Sequence, residues 1–258
     1  MTSSHDVLAL LRRWSVNWLM GADPCAGDTI FAEDYELHIG AHTFSNRADY
    51  MQATLGQLAL FDGLMVTVHE VITNGQQAVL RLTEHGASSK HGGHAAAWRV
   101  IAIFESDGRV LTRTWAEEDY HARRRQLTSG HSEPIEAPLV SPWTTPQLES
   151  SVDIEDTVRD WIESGMVHRD GIRFDDEDVA ETYSLPIDVT SGEVDILVSS
   201  GDKVGFHAQL HGNFSDEDSQ VGTLRVSGLV RVVNGTVTSG NVISDRLGLR
   251  KPTAPVAS

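Results

Sequence analysis

In WRVIAIFESDGRVLTRTWAEEDYHARRRQL, residues 98–127, two strand-like runs flank Ser106-Asp107-Gly108. Asp-Gly between alternating runs supplies the positive φ angles of a two-residue turn, so the stretch predicts a β-hairpin. In its second arm Leu111, Arg113, Trp115 and Glu117 share one face by the period of two. That face sets an indole beside a carboxylate, as a pocket wall would.

Upstream, Val7, Leu10, Leu11, Trp14 and Trp18 recur at three and four residues and predict an amphipathic helix over 5–20, with Ser3, Ser4 or Asp6 as cap. FAEDYELHIG (31–40) reads as a helix end passing into a strand, and 46–60 as a second helix. Two further arms, 64–72 and 78–86, are joined across Asn74-Gly75. Helix, short strand, helix and long antiparallel strands together predict an α+β domain, a curved cone-like sheet with helices on one face.

Composition narrows the setting. The 258 residues carry a formal charge of −17, which repels phosphate backbones and anionic lipid and speaks against nucleic-acid or membrane-surface binding. A single cysteine, Cys25, forbids an intrachain disulfide. The N-terminus lacks the basic and apolar blocks of a signal peptide, and no apolar run is long enough to span a bilayer, so a cytoplasmic protein is expected.

Residues 129–151 are rich in Pro, Ser and Thr without periodicity, and read as a linker whose Ile135, Leu139, Val140 and Trp143 pack along a surface. Then the pattern repeats. GQQAVLRLTEHG (75–86) lies over GDKVGFHAQLHG (201–212), Trp98-Arg99-Val100 over Leu224-Arg225-Val226, and DGRVLTRT, one residue later, over NGTVTSGN (234–241). This divides the chain into a first domain (1–128), the linker, a degenerate second copy (152–248) with helices over 156–164 and 175–183, and a tail (249–258). The strand 31–40 finds little counterpart in the second copy.

FAED (31–34), Asn74-Gly75 before AVLRL, DGRV (107–110) and Trp115-x3-Asp119-x6-Gln126-Leu127 resemble, in that order, the SnoaL-like polyketide cyclases of the nuclear transport factor 2-like or ketosteroid isomerase-like superfamily. The resemblance covers residues 5–130. It implies a cone with a deep apolar pocket used for acid–base chemistry on small hydrophobic molecules, without metal or other cofactor, and a second copy packed sheet to sheet as a pseudo-subunit; a further homo-oligomer stays open. In the related limonene epoxide hydrolase-like arrangement an arginine stands between two acids. Arg81 and Glu117 match it, whereas the other acid falls on Thr83 and the water-holding tyrosine and asparagine on Leu37 and Ile39.

Glu117, beside Trp115 in an apolar cavity, would have a raised pKa and is the expected general acid or base; a surface glutamate is the alternative. Asp119 or His38 would assist, and Arg81 would stabilise an oxyanion, unless Arg81 is buried as an ion pair with Glu117 and Asp119 pairs with Arg113 or Arg123. Trp18, Trp98, Trp115, Thr83 and His85 are expected to line the substrate site. His85, His91 and His94 could approach one another, but their glycine-containing loop has no acidic neighbour and no metal is expected. In the second copy Arg81, Thr83, Trp115 and Glu117 fall on His207, Gln209, Val242 and Ser244, with only His85 repeated, as His211; a separate site with His207, His211 and Asp245 is the alternative to a structural role. The expected function is cyclisation or isomerisation of a polyketide- or terpenoid-like substrate. Epoxide opening and non-catalytic binding of the same ligand are the alternatives.

Overall fold

The computed structural model describes residues 7–166, 170–179, 183–215 and 217–249, so the caps expected before residue 7 and the tail beyond 249 lie outside the described residues. Within the expected first helix the described residues form α1 (Val7–Arg13), which widens to a π-helical segment over Trp14–Met20. The wider turn points Trp14 and Leu19, five apart, into the same hollow. A short helix α2 (Pro24–Ile30), capped by Asp23 with Pro24 at its first position, leads into β1 (Phe31–Ile39). The hairpin strand β2 (His42–Phe44) and α3 (Arg47–Leu58), capped by Asn46, follow.

The long strands are β3 (Phe61–Thr73), β4 (Gln77–Ser88), β5 (His94–Ser106) and β6 (Leu111–Glu118). The β5–β6 connection is longer than the two-residue turn expected. Ser106 pairs with Leu111 after a bulge, and the Asp107 carboxylate accepts from the amides of Arg109 and Val110. The sheet runs β2-β1-β6-β5-β4-β3, with β1 and β6 parallel. After β6 comes α4 (Tyr120–Ser129), a helix periodicity did not indicate; Gln126 on it clamps Ala97 of β5 through both amide groups, at 2.9 and 2.7 Å.

The connecting segment lies against the first domain. Leu139 and Trp143 pack on its core, and Leu139 donates its amide to Val68 at the edge of β3. Val140, by contrast, is 87% exposed. Beyond it come α5 (Val152–Glu163), β7 (Ile172–Phe174), β8 (Ile187–Ser200), β9 (Lys203–Phe214), β10 (Glu217–Val233) and β11 (Thr236–Ser244), in the sheet order β7-β11-β10-β9-β8. Apart from β2 this is the first sheet again.

The repetition extends to register. Thr67 pairs with Thr83 and Glu193 with Gln209; Ala102 pairs with Ala116 and Gly228 with Val242, all at a constant spacing of 126 residues. Irregularities recur at the same spacing, at Val68/Glu70 and Val194/Ile196 and again at Glu105/Ser106 and Arg231/Val232. This corrects the sequence alignment of β6 by one residue: Trp115 corresponds to Asn241, Glu117 to Ile243 and Glu118 to Ser244. β7 is the short counterpart of β1, lying parallel to β11. The helix expected over 175–183 does not form in its described part, 175–179, which is a series of turns.

The two sheets meet face to face. Ile72, Val79, Ile101 and Ile103 from the first interlock with Val198, Leu229 and Ile243 from the second, all buried. Each such side chain contributes roughly 1.5–3 kcal/mol relative to exposure. The backbone approaches closely at Gly205, where a Cβ would stand 2.4 Å from a Val79 methyl carbon. The first sheet is therefore buried on both faces, by helices on one side and by the second domain on the other. No helix among the described residues is long and apolar enough to cross a membrane.

Candidate functional site

A hollow of about 130 Å³ lies between the inner face of the first sheet and the helices. Trp14, Tyr35, Phe44, Tyr50 and Phe104 are among the rings that line it. On β6 the residues reaching it are Thr114, Ala116 and Glu118, which sit across from Phe104, Ala102 and Val100. Arg113, Trp115 and Glu117 point the other way, opposite Glu105, Ile103 and Ile101. The sheet thus carries the expected face of β6 outward. Because side chains alternate strictly, choosing the other face moves the whole set.

Two carboxyl groups converge on the hollow, Glu84 from β4 and Glu118 from β6. Glu84 faces Trp98 across the ladder and Glu118 faces Val100, so the two acids sit diagonally on either side of β5. Glu84 is only 5% exposed, and its Oε2 accepts from Gln57 Nε2 at 3.4 Å. Burial and then the neighbouring Glu118 charge hold the Glu84 carboxyl well above the usual carboxylate range. Burial also raises Glu118, opposed by Arg123, by the Trp98 indole N–H at 2.9 Å and by the Tyr120 hydroxyl. Two buried like charges resist joint ionisation, which pushes both carboxyl groups toward the neutral form, Glu84 further than Glu118.

Arg123 of α4 supplies the balancing charge. Its guanidinium lies over Tyr120, Trp98 and Phe61, at 4.2, 5.1 and 5.7 Å from the ring centres. The opposite wall is pinned by hydrogen bonds. Trp14 and Trp18 donate to the Tyr50 hydroxyl at 3.4 and 3.3 Å, and Tyr35 donates to Thr114 at 2.7 Å.

The residues singled out from sequence distribute as follows. Trp18 and Trp98 are fully buried behind the hollow and hold Tyr50 and Glu118 by their indole N–H groups. Trp115 lies on the outer face, stacked on His38 at 5.5 Å with Arg113 over it. His38 meets Thr43 and Glu36 there, off the hollow, and burial lowers its pKa. Arg81 pairs with Glu136 at 2.9 Å and Glu70 at 3.5 Å, so its partners are neither a pocket oxygen nor Glu117. Thr83 binds His69 at 2.8 Å and His85 binds Thr67 at 3.0 Å, both on the outer face. Asp119 caps α4 by accepting from Ala122 and pairs with Arg246 of the second domain at 2.6 Å, in place of Arg113 or Arg123. His91 and His94 bind Ser88 and the Leu127 carbonyl, apart from His85.

Glu117 is as buried as expected, at 1% exposed, but between the domains. Its carboxylate accepts from the Gly40 amide and meets His207 Nε2 at 3.1 Å, while His207 Nδ1 meets Asp195 at 2.7 Å. Burial raises Glu117, and the two carboxylates outweigh burial to raise His207. The two acids thus favour the protonated form of the imidazole between them. Asp175, beside Arg246 and bonded to Ser244, is buried likewise and pushed up to about 7.

The second copy lacks the pocket chemistry. Where the first has Glu84, Trp98 and Glu118, the second has Leu210, Leu224 and Ser244, all buried. At the place of Leu80 stands Phe206, whose ring covers Gly228 so closely that a Cβ there would fall 2.2 Å from it.

Glu84, Glu118, Tyr120 and Arg123 were the residues missed. One signal was available: Leu80, Leu82 and Glu84 alternate, an acid completing an apolar stripe.

A two-layer α+β cone with a ring-lined hollow closed by paired acids is the architecture of this half. Residues 12–113 match the SnoaL-like domain family. Among solved structures, TsrD from Streptomyces laurentii is 22% identical over 49% of this chain and 96% of its own, with a TM-score of 0.43. IdmH from Streptomyces antibioticus is 16% identical over 46% of this chain and 96% of its own (TM-score 0.42). An M. tuberculosis LEH-like epoxide hydrolase is 17% identical over 48% of this chain and 90% of its own (TM-score 0.40). No curated protein matches the chain.

Proposed function

We propose that the N-terminal domain is a cofactor-independent acid–base enzyme that isomerises or cyclises a small hydrophobic carbonyl compound of polyketide or terpenoid type. The observation that carries the reading is the pair Glu84 and Glu118 at one apolar hollow. The neutral Glu84 carboxyl donates to the substrate carbonyl oxygen, and the Glu118 carboxylate takes the proton from the adjacent carbon, leaving an enol. Return of that proton to a more distant carbon isomerises the substrate; attack of the enol carbon on a second carbonyl closes a ring. General acid–base catalysis of this kind contributes on the order of 10²–10⁴-fold. Aromatic walls that exclude water strengthen both interactions. The second domain serves as a built-in pseudo-subunit. The charge of −17 and the lone thiol Cys25 support a cytoplasmic protein that engages neither nucleic acid nor membrane.

The test is exchange of α-hydrogens of cyclohex-2-enone into deuterium oxide, followed by NMR. Glu118→Gln should abolish protein-catalysed exchange and Glu84→Gln should slow it strongly, while Glu117→Gln should keep it. Exchange that survives Glu118→Gln and is lost in Glu117→Gln would overturn the assignment.

A further inference from the structure

We infer that the hollow admits a single six-membered ring and excludes fused ring systems, so that the substrate is a neutral monocyclic carbonyl compound; this rests on the acid–base reading of the same site. The hollow, which opens to solvent on one side beside the exposed Ala53, holds about 130 Å³. An engineered apolar cavity of about 150 Å³ in another protein takes up benzene, which sets the scale at one ring.

The walls are not free to retreat. Trp14 packs edge-on against Phe104 at 5.0 Å, Tyr35 lies 5.1 Å from Tyr50, and Phe44 lies 6.3 Å from Tyr50. Both Tyr35 and Tyr50 are fixed by the hydrogen bonds already described, to Thr114 and from the two indoles. Close-packed rings in such a lattice yield little volume without breaking those bonds. A second fused ring would have to stand outside them.

The polar end sets the charge. Glu84 and Glu118 share that end, so a ligand carboxylate would add a third acid beside two that burial already pushes toward the neutral form. A carbonyl oxygen, which only accepts, fits the proton that Glu84 offers.

The experiment titrates the full chain with cyclohex-2-enone, a two-ring octalenone, a tricyclic enone and cyclohexanecarboxylate, read by ¹H–¹³C methyl shifts of the alanines. Cyclohex-2-enone should saturate, with contacts from its ring protons to the Ala102 and Ala116 methyls, and Ala53→Phe should remove that binding. The octalenone and tricyclic enone should bind at least tenfold more weakly, and cyclohexanecarboxylate should not bind. Equal or tighter binding of a fused-ring probe, or of the carboxylate, overturns the inference, as does single-ring binding away from those methyls. Single-ring binding without hydrogen exchange leaves this inference standing and removes the enzymatic reading. Exchange on a tricyclic enone does the reverse.

Discussion

Removing His207 should test how the two domains are held together. The imidazole is 3% exposed and sits between Asp195 on β8 and Glu117 on β6, with Asp245 and His38 as the further charged or titratable neighbours. Deleting one member of a buried, hydrogen-bonded charge group costs about 3–5 kcal/mol, because the abandoned carboxylate stays buried. For a chain of this size about 2–4 °C of melting temperature goes with each kcal/mol, so His207→Ala should melt about 6–20 °C lower at pH 7. The pH dependence has a definite sign. His207 has a raised pKa in the fold, so its stabilising contribution is complete below the unfolded value near ~6.5 and is lost as pH rises through the folded value. Glu117, also raised, acts in the same direction, whereas Asp195, lowered, contributes above its unfolded value and loses that contribution only in acid. Thermal and urea unfolding followed by circular dichroism between pH 6.5 and 8.5 should therefore show wild-type stability falling by up to about 1.4 kcal/mol per pH unit more than that of a Glu117→Gln, His207→Gln double variant. Parallel curves, or a His207→Ala cost below about 1 kcal/mol, would refute the charged clasp.

Arg123→Met removes the cation that favours ionised Glu118, so the acid limb of a pH–rate profile for hydrogen exchange should move to higher pH. Asp119→Ala loses the α4 cap and one of three carboxylates on Arg246, which keeps Asp175 and Asp176, and should cost about 1–3 kcal/mol in urea unfolding, while Asp119→Asn keeps the cap and recovers about 1 kcal/mol of it. Gly205→Ala should destabilise by about 1–3 kcal/mol through collision with Val79, and Val79→Ala in the same chain should relieve part of that cost in a double-mutant cycle.

The architecture was legible because its signals are local. Asn74-Gly75 and the run around Asp107-Gly108 mark hairpins, and the duplicated strands β4 and β9 align without a gap. The face of β5 was not legible, because a strand packed on both sides of its sheet shows no polar side. Ile101 and Ile103 look as apolar as Val100 and Ala102, yet the former meet the second domain and the latter line the hollow. With Glu117 and Glu118 adjacent, periodicity offered both, and the indole of Trp115 drew the assignment to the one that faces the second domain. Asp119 illustrates a different blind spot. Its Arg246 partner is 127 residues away, and only the docking of the two domains brings them to 2.6 Å.

The paired acids of the hollow carry the account, and their protonation is directly observable. Carboxyl ¹³C titration of glutamate-labelled protein, assigned with Glu84→Gln and Glu118→Gln, should show the Glu84 resonance titrating well above the ordinary glutamate range, and Glu118→Gln should bring it down toward that range. A Glu84 signal that titrates near ~4.5 and ignores the Glu118 substitution would contradict it.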